Sequence, residues 1–220
     1  MALNQRNQPY QSHKGIELEI QYLPSVAYFV YMLDCDEVVL NIAEQYRKQT
    51  YRNRCMVLTA NKIDTLTVPV KHWESGTSTA DIEIDYTQPW IRRHLGCLRS
   101  AYGKSPYFEY YFHEFEKIYA KKPRFLVELN YELLTICLRL VGVKVNLTYN
   151  LSGVVLDKKD IFDAKYLINS KNEDNSAVFF KPEKYYQTFG NDFVSNLSIV
   201  DLIFNMGPES KGVLTKSRIW

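Results

Sequence analysis

Apolar and polar residues alternate from Ile16 to Gln21, with Ile16, Leu18 and Ile20 separated by Glu17, Glu19 and Gln21. That period of two predicts a half-buried strand. The Leu23-Pro24-Ser25 break then opens an apolar run, Val26 to Leu33, for which Pro24 and Ser25 are suitable first helical positions. Glu37 to Ile42 reads as a second strand, and strand, helix and strand in so short a span predict a βαβ unit with a partly parallel sheet. Cys55 to Ala60 and Thr65 to Val70 flank Asn61-Lys62-Ile63-Asp64 as a hairpin with a turn of four residues. Lys71 to Ala80 is polar and contains Gly76, so it is expected as a loop and a candidate flap; Asp81 to Tyr86 alternates again as a strand.

The period changes after Gln88. Pro89 to Tyr102 carries Ile91, Leu95, Leu98 and Tyr102 at helical spacing, and Pro106 to Ala120 does the same with Tyr107, Tyr111, Phe115 and Ile118. Phe125 to Val141 aligns Leu126, Leu129, Leu133, Ile136 and Leu140 and ends at Gly142, a residue suited to a helix C-cap. Val143 to Tyr149 returns to strand period, and residues 150–194 are weakly patterned, with a loop expected over Asn169 to Ser176. A last helix spans Ser198 to Met206, followed by a turn and a tail. The expected architecture is α/β, Rossmann-like, with a mixed and partly parallel sheet and a helical half, residues 89–141, packed on or beside it. Residues 1–15 lack an apolar pattern and are expected as a flexible arm before a single domain, 16–220.

Composition narrows the function classes. Lys plus Arg number 27 against 25 Asp plus Glu, so a net charge of +2 leaves no footprint for a nucleic-acid duplex or an anionic membrane. The four cysteines are dispersed among apolar neighbours and are expected to be reduced core residues; no His or Cys cluster has metal-ligand spacing, so no metal is expected. No apolar run approaches the roughly 18 residues that span a bilayer, and the first residues have no apolar signal core. No membrane insertion and a cytoplasmic location are therefore expected. Glycine-rich phosphate loops, zinc-protease pairs and nucleophile elbows are absent as motifs.

Candidate chemistry lies on scattered residues. Gln21 and Tyr22 stand between strand and helix, where open α/β sheets bind ligands; packing under the helix is the other reading. Asn53 and Arg54, with Arg52, offer an amide and guanidinium forks for an anion, or else a solvated edge. His94 lies beside the Ile91, Leu95 and Leu98 stripe as a general base or as hydrogen-bonded packing. Tyr102 and Lys104 flank Gly103 between two helices and either line a cleft or serve the turn. Asn130 among leucines is a core tie or a ligand contact. Ser198 and Asp201 match a helix capping box, and otherwise Asp201, with Asn196 and Asn205 nearby, is a candidate buried base.

Taken together, these residues resemble the WbqC-like protein family over Ile16 to Pro208. Its marks are Gln21-Tyr22-Leu23-Pro24 with Tyr28-Phe29, Asn53-Arg54, Leu66 to Val70, Trp90 with His94, Tyr102 to Tyr107, Asn130, and Asn196 to Leu202 with Phe204-Asn205 and Gly207. Many members carry His-Gln-Pro where this chain has Leu18-Glu19-Ile20, and a Y-L-S-G-x-G segment where it has Tyr166-Leu167-Ile168-Asn169. The resemblance implies a transferase in surface-polysaccharide or nucleotide-sugar modification, with acyl or aminoacyl transfer to an amino sugar as one form. It implies a small-molecule substrate, a nucleotide sugar or an acyl donor, and names no cofactor. On this reading Arg52 and Arg54 hold an anionic donor, and His94 or Asp201 takes a proton. A non-catalytic module that binds a sugar or anion is the alternative. Gln21, Tyr22, Asn53, Arg54, His94, Lys104, Asn196 and Asp201 are expected in one cleft at the carboxyl end of the sheet.

Overall fold

The computed structural model describes residues 14–33, 35–152, 161–165, 167–168, 179–190 and 192–219. Strand β1, Gly15–Glu19, is followed by helix α1, Val26–Met32, and strand β2, Glu37–Asn41. β1 and β2 pair directly and in parallel, so the short apolar helix is sufficient as the crossover of a βαβ unit. Strand β5, Asn146–Asn150, pairs with β2, and strand β6, Ile161–Asp163, pairs with β1, both in parallel. The sheet order is β5-β2-β1-β6. Among the described strands, an antiparallel pair forms a separate hairpin of β3, Arg54–Leu58, and β4, Ile63–Thr67.

Helices α2, Trp90–Tyr102, α3, Phe108–Lys121, and α4, Leu126–Val141, form the expected helical half. Gly142 ends α4 with φ +73°, a left-handed conformation that glycine adopts without a Cβ penalty. The chain closes with α5, Ile199–Met206, a 3-10 turn at Gly207–Glu209 and α6, Ser210–Lys216.

Register divides the large sheet into two unlike faces. Ile16, Leu18, Val38 and Leu40 are on one face and belong to a single hydrophobic cluster with residues of α1, α4 and α5. Glu17, Glu19, Asn41, Thr148, Asn150 and Asp163 are on the other. α5 lies in the middle of the helical half, where Phe204 is ringed by Tyr102, Phe108, Phe112 and Phe115 at centroid distances of 5.1–6.5 Å. Aromatic edges meeting faces at this range add to the effect of burial alone.

Several expectations are corrected. The hairpin turn is Thr59 to Lys62, two residues earlier than expected, because Leu58 pairs with Ile63. Asp81 to Tyr86 is not a strand: Asp81 closes a 3-10 turn, and Glu83 and Ile84 make only isolated bridges to Phe125 and Val70. β6 and α6 had no expected counterpart; β6 has three residues, too few to show a period, and α6 follows a Gly-Pro turn that read as the start of a tail. The expected arm, apart from Lys14 and Gly15, and the loop over Asn169 to Ser176 lie outside the described residues.

Gly207 has φ +51°, and a Cβ there would lie 2.5 Å from the Tyr107 ring, which itself follows a bond from the Tyr107 N–H to the Phe204 carbonyl. Gly207→Ala is expected to destabilise the fold by about 2–4 kcal/mol, from backbone strain plus overpacking. Urea unfolding would read this as a lower midpoint with an unchanged slope.

Candidate functional site

The carboxyl end of a parallel sheet gathers side chains from every strand, and here the polar face makes that end a network of charge. Glu17, 1% exposed, accepts from Asn41 Nδ2 at 2.7 Å and Asn150 Nδ2 at 2.9 Å, and Lys165 Nζ stands 3.6 Å from the same oxygen. Lys165 also approaches Asp163 at 3.3 Å and Glu44 at 3.8 Å. Burial pulls its ammonium pKa down, but Asp163, Glu17 and Glu44 outweigh that and leave it raised.

One step further along β1, Glu19 bonds Arg52 Nη2 at 2.8 Å, and the same guanidinium nitrogen reaches Glu44 at 3.0 Å. The carboxyl of Glu19 is pushed up to about 7, by burial first, with Arg52 opposing and Glu44 adding. A carboxyl in that range exchanges a proton at neutral pH. Four carboxylates, Glu17, Glu19, Glu44 and Asp163, thus share two cations, Arg52 and Lys165.

The residues singled out from sequence fall into separate networks. Tyr22, Asn53, Asn130 and His94 tie the segments after β1 and before β3 to the hairpin and the helices, while Gln21 turns to the segment after β6. Asn130 Nδ2 donates to the Arg52 carbonyl and Asn53 Nδ2 to the Val68 carbonyl, while Gln21 Nε2 reaches the Ile168 carbonyl at 3.4 Å. His94 is 1% exposed, with Nε2 3.2 Å from the Thr67 carbonyl and Nδ1 2.7 Å from the Tyr22 hydroxyl. Because a carbonyl only accepts, Nε2 carries the proton, Tyr22 donates to Nδ1, and Tyr119 donates to Tyr22. Burial lowers the His94 pKa to about 4, so the ring is neutral.

A second network surrounds Asp201. Its Oδ2 accepts from Tyr185 at 2.6 Å and Gln187 at 2.9 Å; burial raises its pKa, against the hydrogen bonds of Tyr185, Gln187 and Tyr102. Asn205 Nδ2 donates to the Asp201 carbonyl, and its Oδ1 accepts from Thr188. Tyr102 accepts from the Leu58 amide, and Lys104 is exposed between α2 and α3.

The capping box expected at Ser198 and Asp201 is absent. Ser198 Oγ instead donates to the Leu23 carbonyl, and Asp201 turns to Tyr185. The segment before α5 is bonded to the segment before α1: Ile199 N to Pro24 O, Val26 N to Leu197 O, and Ala27 N to Asn196 Oδ1. The first amides of each helix thus take their partners from the segment that precedes the other. Leu23 and Asn196 adopt left-handed backbone at φ +41° and +56° to make this possible.

The model of the WbqC-like protein family matches residues 20–162 and 159–212. The chain belongs to the WbqC-like family. No curated protein and no solved structure matches it. Among the described residues of this WbqC-like chain, no helix is long and apolar enough to cross a membrane, and no three His, Cys, Asp or Glu are placed to hold a metal. A groove of about 660 Å³ between α2 and α3, lined by Ile91, Arg92, Leu95 and Arg99, contains none of the sheet's polar residues.

Sequence reasoning passed over Glu17, Glu19, Asn41, Glu44, Asn150 and Lys165. Glu17 and Glu19 read as the solvent side of an alternating strand, yet the same pattern had placed that strand in a parallel sheet. Central parallel strands are normally apolar on both faces, so acids at every second position were the available sign.

His94 has a folded pKa of about 4, below its ordinary 6.5, so the unfolded chain binds the proton first. Its contribution to stability is complete above pH 6.5 and is lost as pH falls toward 4, by about 3 kcal/mol. The difference in unfolding free energy between wild type and His94→Gln should narrow across that window.

Proposed function

We propose that this WbqC-like protein is a transferase that acylates an amino sugar of a surface-polysaccharide precursor, with Glu19 as general base. The observation that carries the reading is the Glu19 carboxyl, held at about 7 at the carboxyl end of the central β1 strand. The surplus of carboxylates over cations there attracts an ammonium rather than an anion. Glu19 takes a proton from the attacking amine as its nitrogen bonds to the acyl carbon, and the bond from that carbon to the donor's leaving group breaks. Arg52, fixed between Glu19 and Glu44, holds the base in place.

The base is assigned to Glu19, whose side chain is 13% exposed, rather than to His94, both of whose nitrogens are engaged, or to Asp201, which is 1% exposed with Oδ2 held by two donors and Oδ1 shielded from solvent. The non-catalytic alternative rests on two departures, from His-Gln-Pro and from the glycines of the Y-L-S-G-x-G segment, of which the second falls largely outside the described residues. Leu18, in the histidine position, is 1% exposed on the apolar face, so this change removes nothing from the polar face. Glu19, in the glutamine position, adds a carboxylate to it.

With a UDP-linked amino sugar and an acyl thioester, mass spectrometry should detect the acylated sugar, and kcat should rise with pH to a plateau through about pH 7. Glu19→Gln should lower kcat by roughly a hundredfold or more, with sugar binding retained. A variant with undiminished kcat would remove Glu19 as the base.

Stability should change in the opposite sense. The Glu19 pKa is raised from 4.5 to about 7, so its contribution is full below 4.5 and is lost as pH rises through 7. Glu19→Gln, resembling the protonated form, is expected to be more stable than wild type at pH 8 by about 2 kcal/mol in urea unfolding.

A further inference from the structure

The loop between β2 and β3 supplies more than Glu44 and Arg52. Arg54 Nε and the Tyr46 hydroxyl are shielded from solvent and have no hydrogen-bond partner among the described residues. A buried donor without an acceptor costs about 1–3 kcal/mol, and two within one short segment need a reason. Arg52 is held by Glu19 and Glu44, whereas Arg54, half-buried at the start of β3, has no such ion pair among the described residues.

Tyr46 is 7% exposed, and its ring meets the half-buried Trp73 indole edge to face at 5.0 Å. Trp73 comes from the Lys71 to Ala80 loop, which is anchored here by the bond from the Tyr46 N–H to the Thr77 carbonyl at 2.9 Å and by the Gln45 to Ser78 bridge. Burial pushes the Tyr46 hydroxyl pKa up to about 12, with the positive charges of Arg52 and Arg54 opposing it. The phenol therefore keeps its proton, which has no acceptor among the described residues. Two unpartnered donors within one short segment, a guanidinium nitrogen and a phenol, suit a ligand with several acceptor oxygens.

We propose that Arg54, Tyr46 and Trp73 form a subsite for the diphosphate of a nucleotide-linked sugar, with the indole against the nucleoside. The assignment of the sugar to the neighbouring carboxylates rests on the proposed transferase reading. Arg52 joins the two subsites, since it contacts Glu19 and Glu44 and also acts on Tyr46.

Calorimetric titration of the full chain with UDP and with inorganic pyrophosphate tests this. UDP should bind, Arg54→Gln should weaken it by roughly tenfold or more, and Tyr46→Phe by roughly threefold or more. Tyr46→Phe removes one oxygen and keeps the ring, so it preserves the test if Arg54→Gln fails to fold. UDP should also quench Trp73 fluorescence more than pyrophosphate does, with Trp73→Phe as the control. Equal affinity in wild type and both variants, or no binding at about 5 mM UDP, would overturn the subsite. Pyrophosphate binding as tightly as UDP, without quenching, would overturn its nucleoside half. Binding is read without turnover, so failure here leaves the Glu19 assignment standing, and failure of Glu19 as base leaves this one standing.

Discussion

A carboxylate removed from water needs donors, and Glu17 draws its donors from every other strand of the sheet. Asn41 ends β2, Asn150 ends β5, and Lys165 follows β6, and all three converge on one oxygen of a residue in β1. Desolvation of an isolated carboxylate costs several kcal/mol, so moving any one strand in register would strand a buried charge. The same donors hold the ends of the strands in line. Asn41 and Asn150 each use the amide oxygen on the following loop, through Glu44 N and Ser152 N, so the loops leave the sheet in fixed directions. Glu44 and Arg52 are thereby carried to Glu19 on the first of these loops.

The helical half is joined to this sheet by polar ties rather than by oil alone. His94, Tyr22 and Tyr119 form a directional chain that ends on the Thr67 carbonyl, and Asn130 spans to the Arg52 carbonyl. Such buried chains tolerate one arrangement well and others poorly, because each missing partner leaves a desolvated group. They therefore fix the position of the Arg52 loop relative to α2 and α4, which a purely aliphatic interface would leave freer to slide.

Much of this was legible from period alone. The βαβ start, α2 to α4 and α5 follow apolar spacing closely, and Gly142 marked its helix end through the one conformation that favours it. The candidate site was less legible, for a physical reason: Glu17 and Glu19 carry the same pattern whether their face meets water or Asn150 and Lys165, and those partners are more than a hundred residues away. The capping pattern at Ser198 and Asp201 misled for a related reason. Local spacing describes what a helix start can do for itself, whereas here a distant segment does it instead.

That exchange of caps has a consequence for how the chain is made. The donors of α1 at Val26 and Ala27 are satisfied by Leu197 and Asn196, about 170 residues later. A ribosome adding 5–20 residues per second, roughly, would release the β1-α1 unit many seconds before its partners emerge. Closing so long a loop is an entropic cost borne late, and it delays the assembly of this fold until the segment around Asn196 has emerged. The N-terminal βαβ unit, which looks in sequence like a natural nucleus, would wait for nearly the last helix before it could settle.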